Sequence, residues 1–360
     1  MKILIINTVL TGKNGITNVI FNYLNSIDRE RVTFDYLAIN TPDVMYRNMI
    51  EAYGGKLFVL SRLSTNMFIY WSRIRKLIKN GYDAVHIHGN SHTVVLELSA
   101  AYSAGCHIRL VHAHNTACKY VVVHKLLTPL FNFFYTHGLA CGADAGRFMF
   151  GSRPYMVINN GVDVERFGFD AKSREKIRRQ LNLDDNDRLL GHVGYFKEVK
   201  NQKFIVEILK HLEERYKLIL IGDGPLREDT ENLVKCYGLE SRVIFTGNIN
   251  NVDEYLNAID FVVMPSLFEG LPLALIEQQA NGLKCVVADT ITREVDKTDN
   301  LLFLPLSLSA KEWANKIVAF HDNQSRDKQS RRAIECICKS GYSIQEEANK
   351  LANYYNEIIK

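Results

Sequence analysis

The sequence predicts an α/β protein of two doubly wound domains, each a parallel sheet with helices on both faces. Three observations carry that expectation. Short, continuous apolar runs alternate with amphipathic segments along the chain, and continuous runs mark strands buried on both faces. Strand–helix alternation calls for right-handed crossovers and parallel pairing. The length of 360 residues exceeds one ordinary core and suits two domains of roughly 150–180 residues.

In the first half KILIIN, TFDYLAI, KLFVLS, AVHIHG, RLVHAH and GLACGA read as strands. Amphipathic segments lie between them at Gly15–Asn25, Asn66–Lys79, Thr93–Ala104 and Tyr120–Phe134. In the second half LLGHVGY, YKLILIG, RVIFTG, AIDFVVMP, KCVVADT and LLFLP repeat the alternation. The join is expected near Val164–Ala171, where turn residues pass into a charged helix. The chain therefore divides into 1–165, 166–342 and a final helical segment, 343–360. Open parallel sheets bind ligands beyond the carboxyl ends of their strands, and two such sheets facing each other would leave a cleft there.

A hydrophobic content of 47% and a charged content of 23% are ordinary for a globular chain. The net charge of +4 is uneven: residues 1–165 hold 16 Lys and Arg against 10 Asp and Glu, and the remainder 28 against 30. A basic first half fits an acidic partner, a phosphate or an anionic membrane face; nucleic acid is not expected. Seven scattered cysteines, with Cys336 and Cys338 the only close pair, point to a reduced chain without disulfides or a zinc ribbon. The start MKILIINTVLTGKNG reads as a first strand rather than a signal peptide. No stretch reaches the length of about 18 apolar residues that a membrane-spanning helix needs.

The segment FEGLPLALIEQQA, Phe268–Ala280, places Glu269 in a turn and Glu277 in a helix, directly after an apolar strand. Pro272 suits a first helical turn. A helix from about Leu271 would aim free N–H groups and a positive dipole end at an anion. Glu277 would accept hydrogen bonds from neighbouring hydroxyls, as on a ribose, and Glu269 from a second hydroxylated group. A phosphate flanked by two such carboxylates looks like a nucleotide sugar; solvated glutamates at an ordinary helix start are the alternative.

In GHVGYFKEVKNQKFIVE, Gly191–Glu207, a strand ends in glycine and Lys197 and Lys200 follow. Two lysines there can neutralise a diphosphate, each charge-assisted bond contributing about 1.5–3 kcal/mol. GDGPLREDTENL supplies Gly222 and Gly224 for close backbone approach. TGKNGITN has Gly12 and Gly15 but lacks the G-x-G-x-x-G spacing. Gly15 can still bring backbone N–H groups near a phosphate or acceptor, while dehydrogenase chemistry is discounted.

His86, His88, His112 and His114 form two i,i+2 pairs, each pair on one face of a strand. A metal site, an acid/base or oxyanion-binding imidazole, and plain core histidines all stay open, although no acidic or cysteine ligand accompanies them. Asp185-Asn186-Asp187 spells D-x-D, but in a polar turn before a strand, where a metal role is not expected.

Taken together these segments resemble the retaining glycosyltransferases of family four, with the GT-B fold of two Rossmann-like domains, particularly bacterial capsular and exopolysaccharide transferases. FEGLPLALIE matches that family's E-x7-E pattern, and VINNGVDVERF, Val157–Phe167, its interdomain segment. HVGYFKEVKNQ resembles its G-R-x-x-x-x-K-n loop, LILIGDGP the following strand end, and RLVHAHN the strand end with the active-site histidine. The final helix, Ile344–Ile359, looks like the family's C-terminal helix, which crosses back onto the first domain.

The resemblance implies that the first domain binds acceptor and the second a nucleotide sugar. Glu277 would hold the ribose, Glu269 the donor sugar, Gly270 and Leu271 the phosphate or sugar through their backbone, and Lys200 the diphosphate. Gly194, Tyr195, Lys197, Gly222 and Gly224 would line the donor site. His114 would lie against the sugar near the reacting carbon, with His112 the fallback. No metal or other cofactor would be required, since helix dipole and lysine stabilise the departing diphosphate. Anomeric configuration would be retained by front-face attack.

The chain departs from the pattern at Tyr195, where the family carries Arg. A phenol cannot replace a bidentate guanidinium–phosphate contact, so Lys197 or another basic residue substitutes, or the donor binds weakly, or the chain is a silent member that binds nucleotide sugar or stabilises a partner transferase. A nucleotide-sugar epimerase of similar build is the other alternative, disfavoured by E-x7-E.

MFIYWSRIRKLIK, Met67–Lys79, interleaves apolar residues with Arg73, Arg75, Lys76 and Lys79, and Val121–Tyr135 is rich in aromatics. Both fit a first domain resting on an anionic membrane and receiving a lipid-linked saccharide. Both fit equally a pair of crossover helices with solvated basic faces. The expectation is a cytoplasmic chain, peripheral on the inner face of the membrane, moving a hexose or N-acetylhexosamine from a UDP-sugar. A homo-oligomer is compatible with it.

Overall fold

The computed structural model describes residues 1–12, 14–61, 66–320 and 324–359. The chain forms two compact units, Met1–Gly161 with Gly341–Lys360, and Val162–Ser340. The divisions fall after Gly161 and Ser340, where the sequence reading placed them after 165 and 342.

The first unit holds β1 (Lys2–Asn7), β2 (Thr33–Ala38), β3 (Leu57–Val59), β4 (Ala84–His88), β5 (Ile108–Ala113), β6 (His137–Ala140) and β7 (Met156–Val157). They pair in parallel in the order β3-β2-β1-β4-β5-β6-β7. The order reverses beside β1, and β1 and β4 are buried along nearly their whole length. One face carries Leu4, Ile6, Val85, Ile87 and Val111 into a core with the helices Met67–Ile78, Val95–Ser103, Thr128–Phe134 and Ala143–Phe150. The opposite face carries Ile5, His86, His88 and His112 toward the helices Gly15–Ser26 and Ile344–Ile358, which touch each other.

The second unit holds β8 (Arg188–Val193), β9 (Tyr216–Ile221), β10 (Val243–Gly247), β11 (Phe261–Met264), β12 (Lys284–Ala288) and β13 (Leu301–Leu304). Their order is β10-β9-β8-β11-β12-β13, again parallel, with the reversal between β8 and β11. The switch point where open sheets bind ligands is thus flanked by the loops after β8 and β11, which carry Gly194–Lys200 and Glu269–Leu271.

Two boundaries differ from expectation for local reasons. The expected helix Tyr120–Phe134 is two, Val121–Leu126 and Thr128–Phe134, with Pro129 in the first turn of the second. Proline lacks the N–H that would continue the first helix. Pro272 is the N-cap rather than a first-turn residue, at φ −75° and ψ 100°, so that helix runs Leu273–Ala280.

Candidate functional site

In the second unit three strand-end loops are tied together. Gly194 N–H donates to Ile221 C=O at 2.9 Å, and Phe196 N–H to Asp223 C=O at 2.9 Å. Gly222 and Gly224 make that contact sterically feasible. At φ +136°, a Cβ on Gly222 would stand 2.2 Å from Gly194 O; at φ +153°, one on Gly224 would stand 2.6 Å from Phe196 O. The loops after β8 and β11 are joined by Leu267 N–H donating to Val199 C=O at 2.8 Å. Asn201, in the left-handed region at φ 56°, donates through Nδ2 to Pro265 C=O at 3.1 Å.

This scaffold brings Lys200 and Glu269 together. Lys200 ends a 3₁₀ turn, Glu198–Lys200, and its Nζ donates to Glu269 Oε1 at 2.6 Å. With only 17% and 14% of their side chains exposed, this is a sheltered pair rather than a surface ion pair. Lys197 is not brought in: it is exposed and begins the turn. Tyr195 is 57% exposed, while its carbonyl accepts from Gln202 Nε2 at 3.2 Å. Gly270 is exposed and Leu271 half-buried, at the entrance to the helix Leu273–Ala280.

Glu277 sits within that helix, not at its mouth. Burial pushes its carboxyl up to about 7, the nearby Arg166 guanidinium pulls it down, and Asp253 raises it further. Arg166 is itself held by Asp253 Oδ1 at 2.6 Å and by Asn250 C=O at 3.3 Å. Arg166 stands in the segment VDVERF, and nothing in the sequence signals its partner Asp253, which lies 87 positions away. His192, also missed, is buried on β8, with Nδ1 2.9 Å from Val263 O and Nε2 without a partner. Burial lowers its proton affinity to about 4, and Lys200 adds to the shift.

In the first unit Gly15 opens the helix Gly15–Ser26, exposed, behind the N-cap Asn14, whose Oδ1 accepts from Thr17 N–H at 3.0 Å. His114 follows β5, and its Nε2 is 2.9 Å from His88 Nδ1; its own Nδ1 has no partner. It is 9% exposed, and burial lowers its proton affinity to about 3, so the ring is neutral at physiological pH. Asp187 of the D-x-D turn accepts from Asp184 N–H through Oδ2 at 3.1 Å, and its carbonyl from Arg178 at 2.9 Å. That pattern fixes a turn.

A profile of the family described as Glycosyl transferases group 1 matches residues 173–335. The chain is 34% identical over 369 residues to "Putative glycosyltransferase EpsF" of Bacillus subtilis (strain 168), covering 97% of this chain and 95% of that one. It is 28% identical over 312 residues to "UDP-Gal:alpha-D-GlcNAc-diphosphoundecaprenol alpha-1,3-galactosyltransferase" of Escherichia coli, covering 80% of this chain and 79% of that one. Among solved structures, Anabaena Alr3699/HepE in complex with UDP superposes with a TM-score of 0.79 at 18% identity, covering 99% of this chain and 100% of that chain. That likeness shows the fold, GT-B.

Proposed function

The chain belongs to the group 1 glycosyl transferases, and from that premise we propose that it moves a hexose or N-acetylhexosamine from a UDP-sugar to a lipid-linked saccharide, retaining anomeric configuration without a catalytic metal. The observation that carries this reading is the sheltered Lys200–Glu269 pair at 2.6 Å, at the switch point of the second sheet. A relative whose name specifies a UDP-sugar donor and a diphosphoundecaprenol-linked acceptor supports the choice of substrates.

In the proposed reaction the anomeric carbon–oxygen bond to the diphosphate breaks, and the acceptor hydroxyl oxygen takes its place on the same face. The acceptor proton leaves on the departing diphosphate. Lys200 and the N-terminus of the helix Leu273–Ala280 stabilise the charge that develops there. Glu277 holds the ribose, Glu269 orients the sugar once Lys200 turns to phosphate, and Gly194, Tyr195, Gly270 and Leu271 line the pocket. His114 contacts the sugar, and Gly15 the acceptor side. Gly222 and Gly224 serve by holding the loops at their close approach.

Attachment to an anionic membrane is supported by the first unit. No described helix is long and apolar enough to cross a membrane. The helix Met67–Ile78 buries Tyr70, Ile74, Leu77 and Ile78 yet leaves Met67, Phe68 and Ile69 exposed. Arg73, Lys76 and Lys79 are exposed beside them. Val122, Leu126 and Phe133 are exposed on the two helices after β5.

A transfer assay with UDP-sugars and an undecaprenyl-diphosphate-linked saccharide tests the reading. Product is expected from the wild type and reduced at least about 100-fold in Glu277→Ala, a loss of about 2.7 kcal/mol in transition-state binding. Nucleotide binding without any product across the donor panel would favour the silent reading.

A further inference from the structure

The face of the first sheet beneath the helices Gly15–Ser26 and Ile344–Ile358 carries histidines where a doubly wound sheet ordinarily carries valine or isoleucine. The register sets His88 beside His112 and His86 beside Ile5. Ring centroids of His86, His88 and His112 lie 4.3, 5.4 and 5.2 Å apart in the three pairings. One ring nitrogen of each lies within 4.8 Å of the other two.

A buried nitrogen left without a hydrogen bond keeps its desolvation penalty uncompensated, so a cluster of them calls for an explanation. His86 Nε2 and both nitrogens of His112 have no hydrogen-bond partner. The nitrogens that are partnered follow a pattern. His86 Nδ1 lies 2.5 Å from the Tyr355 hydroxyl, and His88 Nδ1 lies 2.9 Å from His114 Nε2. With the Nδ1–H donating in both cases, each ring keeps Nε2 as its lone-pair atom. Metal-bound histidines are held in this way, the second ring N–H given to a neighbour that fixes tautomer and orientation.

We propose that His86, His88 and His112 bind one divalent transition-metal ion of the zinc, cobalt or nickel kind within the first unit. An all-imidazole donor set without carboxylate or thiolate suits those ions and not magnesium or calcium. The histidines border a cavity of about 10 Å³ closed by Tyr23, Leu24, Leu351 and Tyr355, space for an ion or a single water. Around a tetrahedral ion with bonds of about 2.0–2.1 Å, the ligand nitrogens stand about 3.4 Å apart. The 4.8 Å limit closes to that by ring rotation and a small strand adjustment. The role is structural: through Tyr355 on His86 the ion ties β4 and β5 to the C-terminal helix.

The test uses the full chain made without a polyhistidine tag in zinc-supplemented medium and then desalted. Metal analysis is expected to find about one zinc per chain. Refolding with cobalt is expected to give the visible absorption of a four- or five-coordinate ion. His112→Gln and His86→Gln are each expected to remove that metal while keeping the native circular dichroism spectrum. Tyr355→Phe keeps all three ligands and is expected to weaken zinc about 10–100-fold in competition with a chelator. It decides the matter if the histidine variants fail to fold. A wild-type chain that neither retains zinc nor takes up cobalt, variants with wild-type metal content, or an unchanged affinity in Tyr355→Phe would overturn the proposal.

Discussion

Glu277, the proposed ribose ligand, is a carboxyl whose surroundings set its charge. Burial raises it to about 7, and the ionised form, an acceptor at both oxygens, would hold ribose hydroxyls more strongly than the protonated one. UDP affinity is therefore expected to fall below about pH 7, by at most about tenfold per unit, and to level off above it. Binding at pH 6 releases a proton, which calorimetry in buffers of different ionisation enthalpy detects. Glu277→Gln flattens the profile; a profile already flat in the wild type would remove Glu277 from the ribose. The same shift has a stability consequence with the opposite sense. A folded value near 7, against 4.5 for an ordinary glutamate, means the unliganded unit loses stability as the pH rises between those values.

Lys200 faces Glu269 at 2.6 Å, so Lys200→Ala strands a sheltered carboxylate and removes the proposed diphosphate cation. The Kd for UDP is expected to rise about 10–100-fold, and that for UMP by less. Equal losses for the two nucleotides would place the lysine elsewhere than on the second phosphate.

At the scale of elements, the strand-end loops are set by backbone contact. Gly222→Ala adds a Cβ 2.2 Å from Gly194 O at φ +136°. Strain of about 1–3 kcal/mol follows, and separating the loops displaces Lys200. UDP binding is expected to fall with far-ultraviolet circular dichroism unchanged; unaltered binding would show that the loops have slack. These strands were legible because each is a continuous apolar run, as KILIIN and YKLILI show, and burial on both faces leaves no room for alternation. β7, only Met156–Val157, is too short to give such a signal. The helix break at Pro129 was written in the sequence, but amphipathic character on both sides masked it. Pairing of Lys200 with Glu269 was not legible, since 69 residues separate them and the meeting depends on strand order. Nor does i,i+2 spacing say which face of a sheet a helix from the far end of the chain will cover, so the burial of His86 and His112 needed the fold.

At the scale of the whole molecule, the two units carry different charge and different exposed chemistry. The first unit holds exposed Phe68, Val122, Leu126 and Phe133 together with a basic excess, 18 Lys and Arg against 11 Asp and Glu over 1–161 and 341–360. Each basic residue near an anionic surface contributes about 1 kcal/mol. Replacing Arg73, Lys76 and Lys79 with glutamine is therefore expected to lower cosedimentation with phosphatidylglycerol vesicles about 100-fold, and high salt to release the wild type. Equal partitioning onto neutral and anionic vesicles would contradict that attachment. In the second unit, Lys200, Glu269 and Glu277 stand near the switch point, where an open sheet offers strand ends and helix N-termini to an anion. Donor-dependent transfer requires above all that this site hold a nucleotide despite Tyr195. Calorimetric titration of the purified chain with UDP and with GDP, beside Glu277→Ala, tests it directly. The account predicts one UDP per chain, weaker GDP, and loss of UDP binding in the variant; a folded wild-type chain that binds neither nucleotide would contradict it.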